Sequence, residues 1–548
     1  MKSIKFDGFG RAYEISLVLI FFTLYFVCTL GNVSSVEFMG FDEHSIIDSI
    51  NGLTSHSYYN MNANYHSQYY GWTYFSLNFF IVGFAKIAGV SEPVAINIIV
   101  RTTHFIIGLF CALSMLLLSR KIFDSFLIAF IITLAFITNP ILSHFLNEIH
   151  PESLGLFLQI VSILLFIDIY QSKSISGKKF ILAIVFLSLS SLCKQAFIIS
   201  NFFVGLVFLA LYFFSIYEDE KEIIFFEVIK SIAKATITFF FVFFIIHPFA
   251  FIQPEKFLSA QAYISNEHSS KAFSDVFPLW MDVLSNNPIV VLNALLVFFV
   301  PFIFKKHSIL AFSLIFSNLV SAIYIYKARL WITDTYLLPV FLFSFLNVSY
   351  FFSEFIFDKL SKTFYFIKVA VLVIILLILV NNITFSIYKQ QSRYFKEELR
   401  TKNLSWNFLD KVNQGIKVAY SPNVAMPDKL KKTGCHAWQG CNDIDSLTKY
   451  SPDLVVMSPD YPHYNRSDYE RFVRENGYNI VEVFDKEPIE RTVCSIPNYN
   501  EQRLYILSFS DIFNSTINCV NAYLEMLDDY KNNRIIDGEK ILIYAKPE

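Results

Sequence analysis

The sequence predicts a polytopic α-helical membrane protein that ends in a small soluble α/β domain. Of its 548 residues, 54% are hydrophobic and only 16% are charged, whereas ordinary soluble domains have about a quarter charged residues. Apolar runs of roughly 18–22 residues, the length that crosses a bilayer, recur up to residue 387. Beyond that point charged residues appear throughout. We therefore expect a membrane domain over 1–387 and a soluble domain over 388–548.

The basic residues predict how the chain crosses the membrane. Lys2, Lys5 and Arg11 precede the first apolar run and place the N-terminus in the cytoplasm. No Lys or Arg occurs from Ala12 to Ala85, so residues 32–95 are expected to form an outer loop. Treating its apolar run, 74–88, as an interfacial helix keeps the later basic clusters inside. About eleven spans are then expected, at 15–30, 96–118, 125–145, 153–170, 180–193, 196–216, 235–252, 289–304, 309–326, 334–353 and 365–387.

An odd number of spans places the C-terminal domain outside the cytoplasm. Its β-like runs begin at Lys417, Asp453, Asn479 and Lys540, and a helix is expected over 468–476. Its four cysteines, an even set, permit disulfides in an oxidising compartment. The six-residue spacing of Cys435 and Cys441 fits a small disulfide loop better than a metal site, and the remaining pairing stays open.

The scarce ionisable side chains gather at the predicted outer face. Each alone is more often a snorkelling flank or an ion pair, but acids and cations that share one membrane face are typical of an interfacial active site. Arg101 and Lys194 suit recognition of a phosphate at the membrane surface. The candidate site residues are Asp42, Glu43, Arg101, His104, Glu148, His150, Glu152, Lys194, His247, Arg329 and Tyr336.

Several short motifs resemble those of the GT-C glycosyltransferases, especially the branch with protein O-mannosyltransferases and the lipid A aminoarabinose transferase. The most specific is Gly40-Phe-Asp42-Glu43-His, an acidic pair directly after the first span. Supporting stretches are Tyr69-Tyr-Gly-Trp-Thr-Tyr, His150-Pro-Glu152-Ser-Leu, Ser190-Ser-Leu-Cys-Lys194-Gln and Asp334-Thr-Tyr-Leu-Leu-Pro339. Where the family usually has Arg before Tyr-Leu-Leu-Pro, this chain has Asp334-Thr335, with Arg329 upstream.

The resemblance implies sugar transfer from a polyprenyl-phosphate carrier to a glycan, lipid or protein acceptor at the outer face of a bacterial inner membrane. It assigns Asp42 as base with Glu43 assisting, and it implies direct displacement with inversion. Arg101, Lys194 and Arg329 would contact the donor phosphate, and His150, Glu152 and His247 would support the site. The outer loop over 253–288 could order over substrate as a lid.

Other interpretations remain open at this stage. A divalent metal could bind to Asp42, His44, Glu148 or His150, although no tight ligand spacing occurs.

A transporter or flippase of lipid-linked sugars is the main alternative function, although no internal repeat is found. An oligosaccharide ligase or polymerase on the same fold is the second. The net charge of −2 gives no bulk attraction to nucleic acid.

Overall fold

The structure is a computed structural model, and it describes most of the chain with gaps. The described residues are 8–29, 41–55, 60–61, 67, 69–123, 125–139, 142, 145–146, 149–172, 177–217, 224–268, 272–285, 288–303, 308–327, 338–351, 353, 373, 376–388, 401–422, 424, 426–431, 433–438, 440–461, 464–485, 492, 494, 509–531 and 540–547. The chain divides into two compact units. The membrane unit comprises Met1–Ser386 and Ser495–Ser515, and the C-terminal unit comprises Ile387–Cys494 and Thr516–Glu548.

The membrane unit is helical wherever the structure assigns it regular secondary structure. Its helices are α1 Gly8–Thr29, α2 Phe41–Ser55, α3 Trp72–Ile87, α4 Pro93–Ile122, α5 Phe126–Ile137, α6 Pro151–Ser172, α7 Gly177–Ser191, α8 Gln195–Tyr217, α9 Ile224–Ile246, α10 Phe249–Ile252, α11 Pro254–His268, α12 Phe273–Ser285, α13 Pro288–Leu296, α14 Val300–Ile303, α15 Ser308–Lys327, α16 Leu338–Phe351 and α17 Leu376–Tyr388. A short 3₁₀ turn, Val297–Phe299, separates α13 from α14.

Four of these helices are long and apolar enough to cross a membrane: Ala95–Ile122, Pro151–Ser172, Gln195–Tyr212 and Phe226–Ile246. Each of the eleven predicted spans contains a described helix, although several are shorter than a full crossing. The predicted span over 235–252 differs most, because α9 begins at Ile224 and ends just before His247-Pro248. Proline after a histidine disfavours helical geometry at that histidine, so the chain turns there.

Helix α6 lies at the centre of the membrane unit and packs most extensively against α4 and α7. Gly155 allows the close approach, because a Cβ there would lie 2.9 Å from the Phe197 ring and 3.1 Å from Cys193 Cβ. The Ser190 hydroxyl donates to the Gly155 carbonyl at 2.7 Å, which joins α7 to α6. The ends of α6, α7 and α8 are therefore held together beside Lys194.

The C-terminal unit contains a five-stranded sheet of order β2-β1-β3-β5-β4. Its strands are β1 Val418–Tyr420, β2 Cys435–His436, β3 Leu454–Met457, β4 Asn479–Phe484 and β5 Ile541–Ala545, and its helices are α18 Thr401–Leu409, α19 Asp428–Lys431, α20 Ile444–Tyr450 and α21 Arg466–Glu475. Helix α22, Phe509–Lys531, belongs to the membrane unit up to Ser515 and to the C-terminal unit from Thr516. Strand β1 pairs in parallel with β2 and β3, whereas β5 runs antiparallel to β3 and β4. All four predicted strands are present, and β2 is an additional one.

Two disulfides are present in the C-terminal unit, Cys435–Cys441 and Cys494–Cys519. The first confirms the small loop predicted from its spacing, and the second supplies the pairing that the sequence left open. Cys111 and Cys193 in the membrane unit are buried and free, as expected for small apolar side chains. Tyr469, on α21, is fully buried and donates to the Cys441 carbonyl at 3.0 Å, which ties the disulfide loop to the core. Burial raises the pKa of its hydroxyl well above the usual range.

Candidate active site

Four ionisable side chains predicted at the outer face come together in the membrane unit, and we call them the buried charge cluster. They are His104 on α4, His150 and Glu152 at the start of α6, and Lys194 in the turn before α8. Glu152 is fully buried, and the Lys194 side chain is 13% exposed. An apolar unit buries such groups only when they are paired or serve a function.

Glu152 connects the cluster. Its Oε1 accepts a hydrogen bond from Lys194 Nζ, and its Oε2 lies 3.3 Å from His150 Nδ1. The carboxylate also lies in the first turn of α6, where the helix dipole favours a negative charge. One carboxylate thus orients an imidazole and offsets a lysine.

Lys194 reaches Glu152 because the turn that carries it is very short. Helix α7 ends at Ser191 and α8 begins at Gln195, as the predicted tight hairpin requires. The neighbouring Cys193 packs against Gly155, one turn along α6 from Glu152. The turn is also fixed from α3, since Thr73 Oγ1 donates to the Leu189 carbonyl at 2.8 Å.

His104 joins α4 to the cluster. Its Nε2 lies 3.1 Å from the Phe145 carbonyl, and its Nδ1 lies 3.4 Å from Ser153 Oγ. Arg101, one turn earlier on α4, is also buried, with only 4% of its surface exposed. Arg101, His150 and Glu152 all lie close enough to His104 to interact with it electrostatically. Two cationic side chains, Arg101 and Lys194, therefore lie in the same region as the carboxylate of Glu152.

Aromatic residues just before α3 and in its first turn contact the cluster. The Tyr70 ring lies 5.3 Å from Lys194 Nζ in a cation–π contact. The Tyr74 ring meets the His104 ring edge-on, with centroids 6.2 Å apart. Gly71 separates the two tyrosines at φ 76°, a left-handed conformation that favours glycine. A Cβ at Gly71 would also meet the Phe75 ring at 2.9 Å.

His247 lies in a neighbouring aromatic pocket rather than in the buried charge cluster. Its ring centroid is 5.1 Å from Trp72 and 5.5 Å from Phe257. The side chain is fully buried, and neither ring nitrogen has a hydrogen-bond partner among the described residues. The same holds for the indole N–H of Trp72. His247 thus holds two ring nitrogens without a described partner inside an aromatic environment, an exception to the rule that buried polar groups are hydrogen-bonded.

Helix α11, which begins the predicted lid-like loop, lies against this region. Gln261 accepts from Gln195 Nε2 at 2.8 Å and donates to the Tyr69 carbonyl at 3.1 Å. Tyr263 stacks on Tyr69 with ring centroids 6.0 Å apart. Helix α11 is therefore fastened to the residues that flank Lys194 and Tyr70, as a covering element would be.

The remaining predicted site residues lie partly or wholly outside the described residues. Asp42 and Glu43 belong to the first turn of α2, but their side chains are outside the described part of the structure, as is that of His44. Glu148, Arg329 and Tyr336 are outside it altogether. Among the described residues, no group of three or more His, Cys, Asp or Glu side chains is placed to hold a metal ion.

Sequence reasoning missed the residues that orient the cluster. Ser153, Tyr70, Tyr74, Trp72 and Gln261 were not singled out as site residues, although each contacts a member of the site or its flank. The signal for three of them was the dense aromatic stretch 69–74 in an outer loop. Ser153 and Gln261 gave no signal, because Ser and Gln occur widely in loops and helix ends.

Comparison with known proteins places the fold. No protein-family model matches the sequence, and no curated protein matches it either. One solved structure with a similar fold is ArnT from Cupriavidus metallidurans in the apo state, 13% identical, with a TM-score of 0.50 over 86% of this chain and 96% of that chain. A second is the archaeal oligosaccharyltransferase AglB from Archaeoglobus fulgidus, in complex with an inhibitory peptide and a dolichol-phosphate. It is 11% identical, with a TM-score of 0.50 over 98% of this chain and 89% of that chain. Both are GT-C superfamily membrane glycosyltransferases, so this integral membrane chain has the GT-C fold that its motifs resemble.

Proposed function

We propose that the protein is a glycosyltransferase that moves a sugar from a polyprenyl-phosphate-linked donor to an acceptor at the outer face of the membrane. The observation that carries the proposal is the buried charge cluster on a GT-C fold. A merely structural helical bundle has no use for Glu152, Lys194, His150 and His104 gathered at one set of helix ends. Both neighbours in the comparison are membrane glycosyltransferases, and AglB is described with dolichol-phosphate bound.

The charges suit a lipid-linked phosphate as leaving group. In the transfer step, an acceptor oxygen attacks the anomeric carbon while the bond from that carbon to the phosphate oxygen breaks. The bonding electrons leave with the phosphate, so nearby cations stabilise the departing group. Arg101 and Lys194 supply two cations in this region, and Lys194 retains an exposed fraction through which it can meet a ligand.

The proton of the acceptor must be taken up as the new bond forms. We assign that role to Asp42, with Glu43 assisting, because a carboxylate is an effective base for a hydroxyl that attacks in this way. Direct displacement by the acceptor gives inversion at the anomeric carbon. The base lies on α2, and the proposal places it at the same outer vestibule as the cluster.

An apolar cavity supports the assignment of a lipid carrier. It has a volume of about 570 Å³ and lies among α4, α6, α8, α15 and α16. Its walls are mostly Phe, Ile, Leu and Val, and Ser200, on α8 six residues after Lys194 of the preceding turn, is one of the lining residues. A cavity of this lining suits part of an isoprenoid chain whose phosphate remains near Lys194.

We also propose a membrane topology for the chain. About eleven spans place the C-terminal unit outside the cytoplasm, and the positive-inside distribution of Lys and Arg agrees with this orientation. The two disulfides of the C-terminal unit also suit an oxidising compartment such as a bacterial periplasm. The acceptor is a glycan, a lipid or a protein.

Two measurements on the purified full chain test the proposal. Mass spectrometry of co-purifying lipid is expected to find an isoprenoid phosphate, and Asp42→Asn is expected to lower sugar transfer by about 10²–10⁴-fold. Asp48→Asn is the matched control, since Asp48 lies on the same helix with an exposed side chain. Full transfer by Asp42→Asn would remove Asp42 as the base. Substrate-driven transport in vesicles, with no bound isoprenoid phosphate, would favour a transporter instead.

A further inference from the structure

The disulfide loop of the C-terminal unit displays a tryptophan on its surface. Cys435 and Cys441 close a loop immediately after strand β2, and Trp438 lies in the middle of that loop. Its side chain is 38% exposed, although tryptophan is among the side chains that gain most from burial. Function rather than folding therefore accounts best for its position.

The loop lies at the carboxyl end of the parallel strands, where ligands usually bind. Strands β2, β1 and β3 are parallel neighbours in that order, so the chain leaves β1 toward β2 and then crosses back to β3. The winding direction reverses between β1 and β3. In open α/β sheets, the crevice outside the carboxyl ends of the strands at such a reversal is the common ligand site.

Aromatic side chains follow that edge in a row. Tyr420 ends β1, His436 ends β2, and Tyr461 lies four residues after β3. Successive ring centroids are 5.1 Å apart for Tyr420 and His436, 5.8 Å for His436 and Trp438, and 6.3 Å for Trp438 and Tyr461. The first two pairs of rings meet edge-on, at 70° and 80°, and the third pair is tilted by 47°, so the row is longer than one aromatic group and combines ring faces with ring edges.

Backbone hydrogen bonds hold this surface in place before any ligand arrives. The Ala437 N–H donates to the Tyr420 carbonyl at 3.0 Å, which continues the pairing of β2 with β1 beyond the strand ends. The Trp438 N–H donates to His436 Nδ1 at 3.2 Å, and the Cys441 N–H donates to the His436 carbonyl at 3.1 Å. A preorganised loop loses little conformational entropy on binding.

The surroundings favour an uncharged ligand over a phosphate. Asp460 adds a negative charge beside Tyr461, and its carboxylate accepts from the Lys540 N–H at 3.2 Å. The nearby cation of Arg466 is already bonded to Glu470 at 2.5 Å. A sugar ring is uncharged, has an apolar C–H face and carries hydroxyls at its rim. Trp, Tyr and His offer the complementary combination of ring face and polar edge.

We propose that this row, Tyr420–His436–Trp438–Tyr461, is a saccharide-binding site on the C-terminal unit, with Trp438 as its main platform. Its elongated form suits a chain of sugars rather than a single ring or a compact cation. The site lies wholly within the C-terminal unit and does not depend on the transfer chemistry proposed for the membrane unit.

Saturation-transfer NMR and calorimetry on the full chain in nanodiscs test this site with three neutral probes: maltohexaose, cellohexaose and chitohexaose. At least one is expected to bind, and Trp438→Ala is expected to weaken its affinity by about tenfold, since one aromatic contact is worth on the order of 1 kcal/mol. Trp438→Phe should keep an intermediate affinity, because a smaller ring remains. Trp406→Phe is the control, since Trp406 lies on α18, which packs on β5 and β4, the two strands farthest from β2 in the sheet.

Several results would overturn the site. They are no binding of any of the three probes, equal affinity of the wild type and Trp438→Ala with the disulfide intact, or binding of choline in place of every saccharide. The double variant Glu152→Gln/Lys194→Met is expected to bind the probe as the wild type does. Failure of the transfer proposal and failure of this site are therefore distinguishable.

Discussion

The two units of the molecule use ionisable side chains in opposite ways. In the C-terminal unit, Arg466 and Glu470 pair one helical turn apart with about half of each side chain exposed, at 48% and 46%. In the membrane unit, Glu152 on α6 is fully buried and pairs with Lys194 in the turn between α7 and α8. Water solvates each exposed charge of the first pair even without its partner, whereas each buried charge of the second pair depends on its partner. The position of a charged side chain is therefore evidence for a functional role in the membrane unit, but it is weak evidence for one in the C-terminal unit.

Breaking each pair gives the largest test of this contrast. Glu152→Gln or Lys194→Met alone is expected to destabilise the membrane unit by about 3–5 kcal/mol, because each leaves a buried charge without its partner. The double variant removes both charges and is expected to recover most of that loss. Thermal unfolding in detergent measures all three.

The exposed pair provides the matched control for that experiment. Glu470→Gln is expected to change stability by less than about 1 kcal/mol. If Glu152→Gln and Glu470→Gln shifted the unfolding temperature equally, the contrast between the two units would be wrong.

Packing beside the charge cluster gives the next largest effect. Gly155→Ala is expected to cost about 1–3 kcal/mol, because its Cβ would fall 2.9 Å from the buried Phe197 ring and something must shift. Gly205→Ala on α8 is the control, since its Cβ would meet only Leu187 Cδ2 at 3.8 Å. That substitution is expected to be neutral or stabilising. Thermal unfolding of both variants checks the sign, and equal losses would show that the close approach at Gly155 is unimportant.

Replacing His104 and replacing His247 are expected to have different effects on stability, because only His104 has a hydrogen-bond partner among the described residues. His104→Phe removes the buried hydrogen bond between His104 Nε2 and the Phe145 carbonyl and is expected to lower stability by about 1–3 kcal/mol. His247→Phe removes two nitrogens that have no partner among the described residues, so stability is expected to hold or rise. Transfer activity is expected to fall in both. A stable, fully active His247→Phe would make that pocket irrelevant to substrate.

The smallest effect is expected at the N-terminus of α20 in the C-terminal unit. Asp443 accepts from the Ser446 N–H at 2.8 Å, and this hydrogen bond holds the pKa of the carboxyl below its usual range. A depressed folded-state pKa means that the cap stabilises the helix above the unfolded value of about 3.9, and that this gain is lost as pH falls through the folded value. Asp443→Ala should reduce hydrogen-exchange protection of 444–450 at pH 7, and the reduction should become smaller as the pH falls below the unfolded pKa. A difference that persisted unchanged at pH 3 would contradict the assignment.

Much of this arrangement could be predicted from the sequence, because residue type and spacing carry it. The four strand runs and the disulfide loop were predicted, and the short turn at Lys194 predicted a tight hairpin. The sequence also placed His150, Glu152 and Lys194 on one membrane face. It could not say that Glu152 pairs with Lys194, since that depends on how α6 is rotated and on the close approach at Gly155.

Aromatic site residues were the hardest to predict. The stretch 69–74 was recognised as a motif, but in a chain with 62 Phe and 30 Tyr the sequence could not show that Tyr70 and Tyr74 contact Lys194 and His104. The role of Asp42 rests on the motif after the first span and stays a prediction.

The double variant Glu152→Gln/Lys194→Met gives the most direct test of whether the buried charge cluster serves chemistry rather than folding. Purified wild type and double variant would be given the same polyprenyl-phosphate-linked sugar and acceptor, after thermal unfolding had established that both are folded. We expect a folded double variant that retains less than about one-hundredth of wild-type transfer, as for loss of charge stabilisation in other active sites. A folded double variant with full transfer activity would contradict it.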